Sequence, residues 1–157
     1  MTIHVFVEIP KGSKNKYERN EETGEIMLDR TLYGSHTFPF EYGFIKNTKG
    51  ADGDPLDAVL LVSNATFPGC IVESEVIGYL EMEDESGVDH KVLLVPTDKI
   101  DPRSSHVEDV KDLTSHQKAE IKDFFETYKR LEPNKWVKVK EFKSKEEAEK
   151  LVQESME

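Results

Sequence analysis

Short alternations of apolar and polar residues fill the first part of the chain and predict β-strands. Residues 3–9 place four aliphatic side chains on one face of a strand and Glu8 on the opposite face. Residues 16–18 and 25–30 have strand character on either side of a Glu-Thr-Gly turn, so together they predict a hairpin.

Longer apolar runs predict further strands in the middle and near the end of the chain. Residues 58–62 are wholly apolar and predict a buried strand. Residues 70–82 predict either one long bent strand or a pair of strands, and residues 91–95 and 136–142 predict two more. The stretch at 97–112 is polar and is predicted to be irregular.

Helical patterns occur only in the last third of the chain. Residues 114–117 resemble a capping box, and apolar side chains then recur at helical spacing: Ile121, Phe124, Phe125 and Tyr128. Residues 144–147 predict the start of a second, terminal helix. Long helices do not alternate with strands, which argues against a doubly wound parallel sheet. The predicted fold is α+β, mainly β: residues 1–157 form a single domain, a small antiparallel five-stranded OB-like barrel with two helices packed on it late in the chain.

An acidic loop, Asp52-Gly53-Asp54-Pro55-Leu56-Asp57, immediately precedes the buried strand. Clustered carboxylates repel one another unless a cation neutralises them, and hard cations such as Mg²⁺ accept an all-oxygen ligand shell. An EF-hand is excluded, because Leu56, Asp57 and Ser63 stand where that loop needs a ligand, a glycine and a glutamate. The alternative is a solvated acidic turn, but the proline and the adjoining strand favour a fixed geometry. A second acidic turn, bounded by Asp84 and Asp89, leads to Lys91 in the same way.

Composition limits the classes of partner. With 21 basic and 32 acidic residues the chain carries a net charge of −11, which disfavours nucleic acid and anionic membrane surfaces. The single cysteine, Cys70, cannot form an intrachain disulfide and is predicted to be a small buried hydrophobic residue. No signal peptide and no apolar span of membrane length is present. These features predict a cytoplasmic protein.

The common motifs of nucleotide binding, serine hydrolysis and zinc binding are absent, and the five histidines show no zinc spacing. The phenylalanines between residues 32 and 44 predict core packing, whereas the Tyr42 hydroxyl could also donate to an anion.

Carboxylates combined with lysine, arginine and tyrosine are typical of phosphoryl transfer to water. Two alternatives come from other classes: a non-catalytic divalent-cation-binding module, and an oligonucleotide-binding barrel, which the net charge disfavours.

Seven sequence blocks occur in an order that resembles family I soluble inorganic pyrophosphatases of the bacterial type. The resemblance covers roughly residues 3–142, and these blocks carry it: E-I-P-K-G (8–12), N-K-Y-E (15–18), L-D-R (28–30), F-P-F-E-Y-G-F-I (38–45), D-G-D-P-L-D (52–57), D-E-x-x-x-D-x-K-V (84–92) and F-F-E-x-Y-K-x-L-E (124–132). The resemblance implies Mg²⁺-dependent hydrolysis of pyrophosphate to two orthophosphates, by in-line attack of a metal-bridging hydroxide. It also implies a homohexamer. One departure is Phe38, where many relatives carry tyrosine.

The resemblance also implies roles for individual residues. Asp52, Asp57 and Asp89 match a first metal site, with Asp57 also reaching a second ion. Asp84 and Asp89 match the ligands of a metal that arrives with substrate. Three or four Mg²⁺ ions are implied, with Mn²⁺ or Zn²⁺ as possible substitutes. The other metal-side carboxylates are Glu8 and Glu18.

Asp54 matches the residue that takes a proton from the attacking water. The resemblance implies six phosphate-binding groups, of which the first three are also counted as catalytic: Lys16, Arg30, Tyr42, Lys91, Tyr128 and Lys129. A charge count is consistent with this set, because seven carboxylates against four cations leave the site at −3. Such a site would repel pyrophosphate, whereas three or four Mg²⁺ would add about +6 to +8 and invert the field. The metals are therefore predicted to be obligatory.

Overall fold

A computed structural model describes all residues from 1 to 157. Nine strands are followed or interrupted by two α-helices and two short 3-10 turns at 102–104 and 110–112. In chain order the elements are β1 (Thr2–Ile9), β2 (Asn15–Arg19), β3 (Ile26–Thr31), β4 (Glu41–Ile45), β5 (Asp57–Leu60), β6 (Ile71–Asp84), β7 (Gly87–Val88), β8 (Lys91–Pro96), α1 (Ser115–Thr127), β9 (Val137–Lys143) and α2 (Lys145–Ser155).

Five strands close into a barrel in the order β1-β4-β5-β8-β6, with β6 pairing back onto β1. The mainly β barrel with two late helices is therefore confirmed, but the prediction of a purely antiparallel barrel is wrong. β5 and β8 are parallel, with Asp57 opposite Lys91. A parallel pair needs a long crossover connection, and here the chain between residues 61 and 90, which includes β6, supplies it.

β6 is one bent strand of 14 residues that pairs with β1, β7, β8 and β9. Its register against β8 shifts between Val76 and Gly78, and its register against β9 shifts between Leu80 and Met82. Such bulges bend a strand and increase its twist. The bent β6 can therefore pair with several neighbouring strands around the barrel.

The apolar side chains form two buried clusters. In the first, α1 contributes Ile121, Phe124 and Phe125, which pack with Phe38 and Phe40. This confirms the predicted apolar stripe and the core role of Phe38 and Phe40, but Phe44 is only half-buried and stacks on Phe6 outside both clusters. The second cluster joins aliphatic residues of the barrel strands to α2. Both helices begin at predicted capping boxes: the Thr114 and Ser144 side chains accept from the backbone N–H three residues later.

The predicted hairpin is confirmed as β2–β3, and it forms a separate two-stranded sheet outside the barrel. Lys16 lies opposite Arg30, and the register then shifts so that Tyr17 lies opposite Leu28. Two smaller predictions need correction. Cys70 is half-buried rather than buried, because it lies in the turn before β6, and the stretch at 97–112 contains the two 3-10 turns. Neither helix has the length and apolar character that crossing a bilayer requires.

Candidate active site

Glu8 reaches the site because β1 bulges at that position. The register of β1 against β4 runs from Val7 opposite Gly43 to Ile9 opposite Tyr42, so Glu8 has no partner of its own. Bulges often redirect a side chain beside a functional site. The Glu8 carboxylate accepts from the Arg19 N–H at 2.8 Å, and burial raises its pKa to about 7.

An acidic cavity of about 840 Å³ lies between the hairpin, β1 and the acidic loop. Four of the predicted site carboxylates line it: Glu8, Glu18, Asp54 and Asp57. Its other acidic lining residues, which the motifs did not identify, are Glu21, Glu22 and Glu157. With only Arg19 and Lys49 as basic lining residues, this cavity attracts cations.

The acidic loop is held by its own backbone. The Asp54 N–H donates to Asp52 Oδ1 at 2.9 Å, and the Asp54 carbonyl accepts from the Gly50 N–H at 2.7 Å. Gly53 has φ of 87°, a conformation that glycine adopts at low cost. These bonds leave the Asp54 carboxylate at the cavity and turn one Asp52 oxygen back into the loop.

A buried ammonium group lies at the centre of a second group of predicted residues. Lys91 is 3 % exposed, and its Nζ donates to Tyr42 Oη at 2.6 Å, Asp89 Oδ2 at 2.8 Å and Asp57 Oδ2 at 2.9 Å. The parallel register that sets Asp57 opposite Lys91 makes this contact possible. We call these four residues the Lys91 cluster.

Burial and the neighbouring charges together shift the pKa of every residue in the Lys91 cluster. Burial lowers the pKa of Lys91, but the surrounding acidic groups, Asp57 first, outweigh that effect and hold the pKa well above its usual value. Burial raises the pKa of Asp89 to about 6, whereas Lys91 and hydrogen bonds outweigh burial at Asp57 and lower its pKa. Burial also holds the pKa of Tyr42 well above its usual value, so its phenol stays protonated.

A further predicted cation, Lys129, is held by two carboxylates. Lys129 Nζ lies 3.4 Å from Asp84 Oδ2 and 3.6 Å from Glu85 Oε1. The preceding Tyr128 ring stacks on Phe124 with 5.0 Å between centroids. The α1 core packing therefore fixes the start of the segment that carries Lys129.

On the hairpin, Asp29 lies between two predicted phosphate-binding cations. Its Oδ2 is 3.6 Å from Lys16 Nζ and accepts from Arg30 Nη1. Arg30 Nε also lies 3.1 Å from Glu132 Oε2, in the segment after α1. Asp29, Glu85 and Glu132 all fall inside the quoted motif blocks, but nothing in a linear motif identifies them as ion-pair partners.

The predicted residues are thus brought to one side of the barrel but not into one metal-binding group. Asp52 does not line the acidic cavity, Asp57 and Asp89 both contact Lys91, and Asp84 contacts Lys129. No three acidic, histidine or cysteine side chains converge closely enough to hold one ion. The Phe38 ring is buried against Tyr42 and Tyr128, so this position offers no hydroxyl.

Comparison with known proteins agrees with the sequence motifs. The family model described as inorganic pyrophosphatase matches residues 5–157. The inorganic pyrophosphatase of Helicobacter pylori strain J99 is 52% identical over 155 residues, which cover 99% of this chain and 90% of the relative. That of Nanoarchaeum equitans is 47% identical and covers 100% and 97% of the two chains.

Solved structures give the same result. The Helicobacter pylori inorganic pyrophosphatase structure superposes with a TM-score of 0.96 at 51% identity, covering 98% of this chain and 91% of that one. The Thermus thermophilus inorganic pyrophosphatase superposes with a TM-score of 0.93 at 44% identity, covering 97% and 87%. The resemblance drawn from the seven blocks is confirmed, and the chain belongs to the inorganic pyrophosphatase family.

Proposed function

We propose that this chain hydrolyses inorganic pyrophosphate to two orthophosphates with Mg²⁺ as its cofactor. One observation carries the proposal: the acidic cavity meets one of the proposed phosphate-binding cations at the Asp57–Lys91 ion pair of 2.9 Å. Asp57 lines the acidic cavity, where cations would collect, and also belongs to the Lys91 cluster, in which it accepts from Lys91 Nζ. A metal–pyrophosphate complex needs both kinds of surface side by side.

The donor set fits a hard divalent cation. Every candidate ligand is a carboxylate oxygen, which suits Mg²⁺, and the pKa values of Glu8 and Asp89 are raised by burial, a cost that a bound cation would offset. Mg²⁺ keeps several waters and takes only one or two carboxylates at a time, so it does not require three converging side chains. We propose three or four Mg²⁺ ions, with Mn²⁺ or Zn²⁺ as possible substitutes. Bound Mg²⁺ supplies Lewis acidity, which lowers the pKa of a water and neutralises phosphoryl oxygens.

The carboxylates divide into ligands and a base. The proposed metal ligands are Glu8, Glu18, Asp52, Asp57, Asp84 and Asp89. Asp54 lies between two of these ligands in the chain, and its exposed carboxylate lines the acidic cavity without an ion-pair partner. A group free of other partners and close to the metal side can accept the proton of the attacking water, which is the role we assign to Asp54.

The cations and phenols bind the phosphate groups: Lys16, Arg30, Tyr42, Lys91, Tyr128 and Lys129. The Tyr42 oxygen accepts from Lys91, so the Tyr42 hydroxyl can donate its own proton to an anionic oxygen, either the neighbouring Asp57 carboxylate or a phosphoryl oxygen. Because its pKa is well above the usual value, Tyr42 keeps that proton throughout the working pH range. Fixed donors of this kind stabilise charge that develops on the leaving phosphate.

Replacing Asp57 by asparagine tests the ligand assignment. We expect Mg²⁺ affinity, measured by isothermal titration calorimetry, to fall about tenfold or more, because a charged ligand is lost from the acidic cavity. Asp98→Asn removes an equal charge from an exposed position outside that cavity and should leave the affinity unchanged. Equal Mg²⁺ affinity in both variants would contradict a ligand role for Asp57.

We also propose that the protein acts in the cytoplasm as a homohexamer of single-domain chains, a proposal that rests on the family resemblance. Sedimentation velocity tests the hexamer, because a monomer of 18.0 kDa and its hexamer differ sixfold in mass. The alternative of a non-catalytic cation-binding module would account for the acidic cavity. It does not explain why three cationic side chains, Lys16, Arg30 and Lys129, are placed near the acidic groups. Net charge argues against a nucleic-acid partner.

A further inference from the structure

Glu132 is a buried carboxylate to which the proposed metal and phosphate sites give no role. It is 7 % exposed, and its Oε2 lies 3.1 Å from Arg30 Nε. Neither of these two buried atoms has a hydrogen-bond partner elsewhere in the protein. Glu132 therefore depends on Arg30 for compensation of its buried charge, whereas Arg30 also has Asp29 as a partner; a buried charge without a partner is costly.

The contact joins two parts of the site that are otherwise separate. Arg30 lies on the β2–β3 hairpin, which forms its own sheet outside the barrel. Glu132 follows α1, three residues after Lys129, and its N–H donates to the Lys129 carbonyl at 3.1 Å. Asp29 cannot make this connection, because it is the neighbour of Arg30 on the same strand.

The nitrogen atoms of Arg30 are divided between these partners. Nη1 donates to Asp29 and Nε faces Glu132, which leaves Nη2 for a ligand. A guanidinium is planar and rigid, so partners at Nε and Nη1 fix the plane in which Nη2 lies. The charges of both residues also act on Tyr128: burial is the main cause of its raised pKa, Arg30 lowers that pKa and Glu132 raises it. The pair therefore lies within electrostatic range of another proposed phosphate-binding group.

We propose that Glu132 is a positioning residue for pyrophosphate hydrolysis: it anchors the Arg30 guanidinium of the hairpin to the segment after α1, so that Arg30 meets the phosphate in a fixed orientation beside Tyr128 and Lys129. This inference rests on the phosphate-binding role given to Arg30 in the proposed function. Glu132 itself does not touch substrate. Glu132 restricts the conformations of the Arg30 side chain before pyrophosphate binds, so that less conformational entropy is lost on binding. It also holds the guanidinium in the orientation that the reaction needs.

A double-mutant cycle in the full-length protein tests the inference. Steady-state kcat and KM for pyrophosphate are measured for Glu132→Gln, Arg30→Gln and the double variant. Glu120→Gln serves as the control, because it removes an equal charge from an exposed position on α1. We expect Glu132→Gln to lower kcat/KM about 10- to 100-fold, and Glu120→Gln to leave it within about twofold. In the Arg30→Gln background, Glu132→Gln should change kcat/KM by less than about threefold, because it acts through Arg30.

Thermal unfolding tests the ion pair itself, and the aspartate variant tests whether its charge is needed for activity. Arg30→Gln leaves Glu132 buried without its partner, so adding Glu132→Gln to that variant should raise the melting temperature. Glu132→Asp keeps the charge and should retain more kcat/KM than Glu132→Gln; it also replaces Glu132→Gln in the cycle if the latter does not fold.

Three results would overturn the inference. If Glu132→Gln matches Glu120→Gln in kcat/KM, Glu132 does not position Arg30, whereas the proposed function stands. If the two losses multiply fully in the double variant, Glu132 acts independently of Arg30. If Arg30→Gln retains full kcat/KM, the role of Arg30 in the proposed function fails and the inference fails with it.

Discussion

Asp54→Asn should lose about 100-fold or more in kcat while binding Mg²⁺ nearly as well as the wild type. The loss follows because asparagine cannot accept a proton from the attacking water, and a general base typically contributes about 10²- to 10⁴-fold. Metal binding should persist, because the loop bonds at this position use the Asp54 backbone N–H and carbonyl, which asparagine keeps.

Phosphate release at saturating Mg²⁺ gives kcat, and calorimetry on the same sample gives metal affinity. Asp57→Asn is the matched contrast within the same loop, since it should weaken Mg²⁺ binding as well. A kcat for Asp54→Asn within about threefold of the wild type would rule out Asp54 as the base. A parallel fall in Mg²⁺ affinity would instead make Asp54 a ligand.

Gly43→Ala should destabilise the barrel severely. A Cβ on Gly43 would lie 1.9 Å from the Phe6 carbonyl oxygen and 3.0 Å from the Glu8 backbone nitrogen, both of them backbone atoms of β1 at or next to its bulge. Relief requires a shift of β1 against β4, so the cost should reach about 3 kcal/mol or more, at the upper end for overpacking. In a chain of this length that corresponds to a fall in melting temperature of about 6–12 °C.

Gly34→Ala is the control for this change. Its nearest neighbour would be the His36 side chain at 3.1 Å, a contact that a shift of a few tenths of an ångström relieves, so the melting temperature should stay within about 3 °C. Differential scanning calorimetry measures both variants. If Gly43→Ala melted together with Gly34→Ala, the close approach of β1 to Gly43, and with it the bulge that directs Glu8, would be wrong.

Local patterns predicted the elements of the fold better than their pairing. The period-two alternation in residues 3–9 and the capping residues Thr114 and Ser144 act within a few positions, so they can be read from the chain alone. The parallel pairing of β5 with β8 could not, because both strands are continuous apolar runs and their direction is set by the course of β6 between them. β6 itself was ambiguous because its bulges interrupt the alternation.

In the candidate site too, the sequence predicts residues that stand out locally but not the contacts between distant residues. Asp52, Asp54 and Asp57 stand out in sequence because clustered acidic residues next to a buried strand need an explanation. The carboxylates that hold the cations do not stand out in this way: Glu132 is an ordinary glutamate until the fold places it against Arg30. The bulge at Glu8 also arises from strand pairing, which no spacing rule reveals.

Phosphate release from pyrophosphate across a Mg²⁺ titration, starting from chelator-treated protein, is the measurement to make first, with ATP and a phosphomonoester as competing substrates. We expect no release without metal, release that rises with Mg²⁺, and strong preference for pyrophosphate, because the acidic cavity and the Lys91 cluster act together only when cations bridge them. Release that is equally fast without divalent metal, or Mg²⁺ binding with no release, would contradict metal-dependent pyrophosphate hydrolysis at this site.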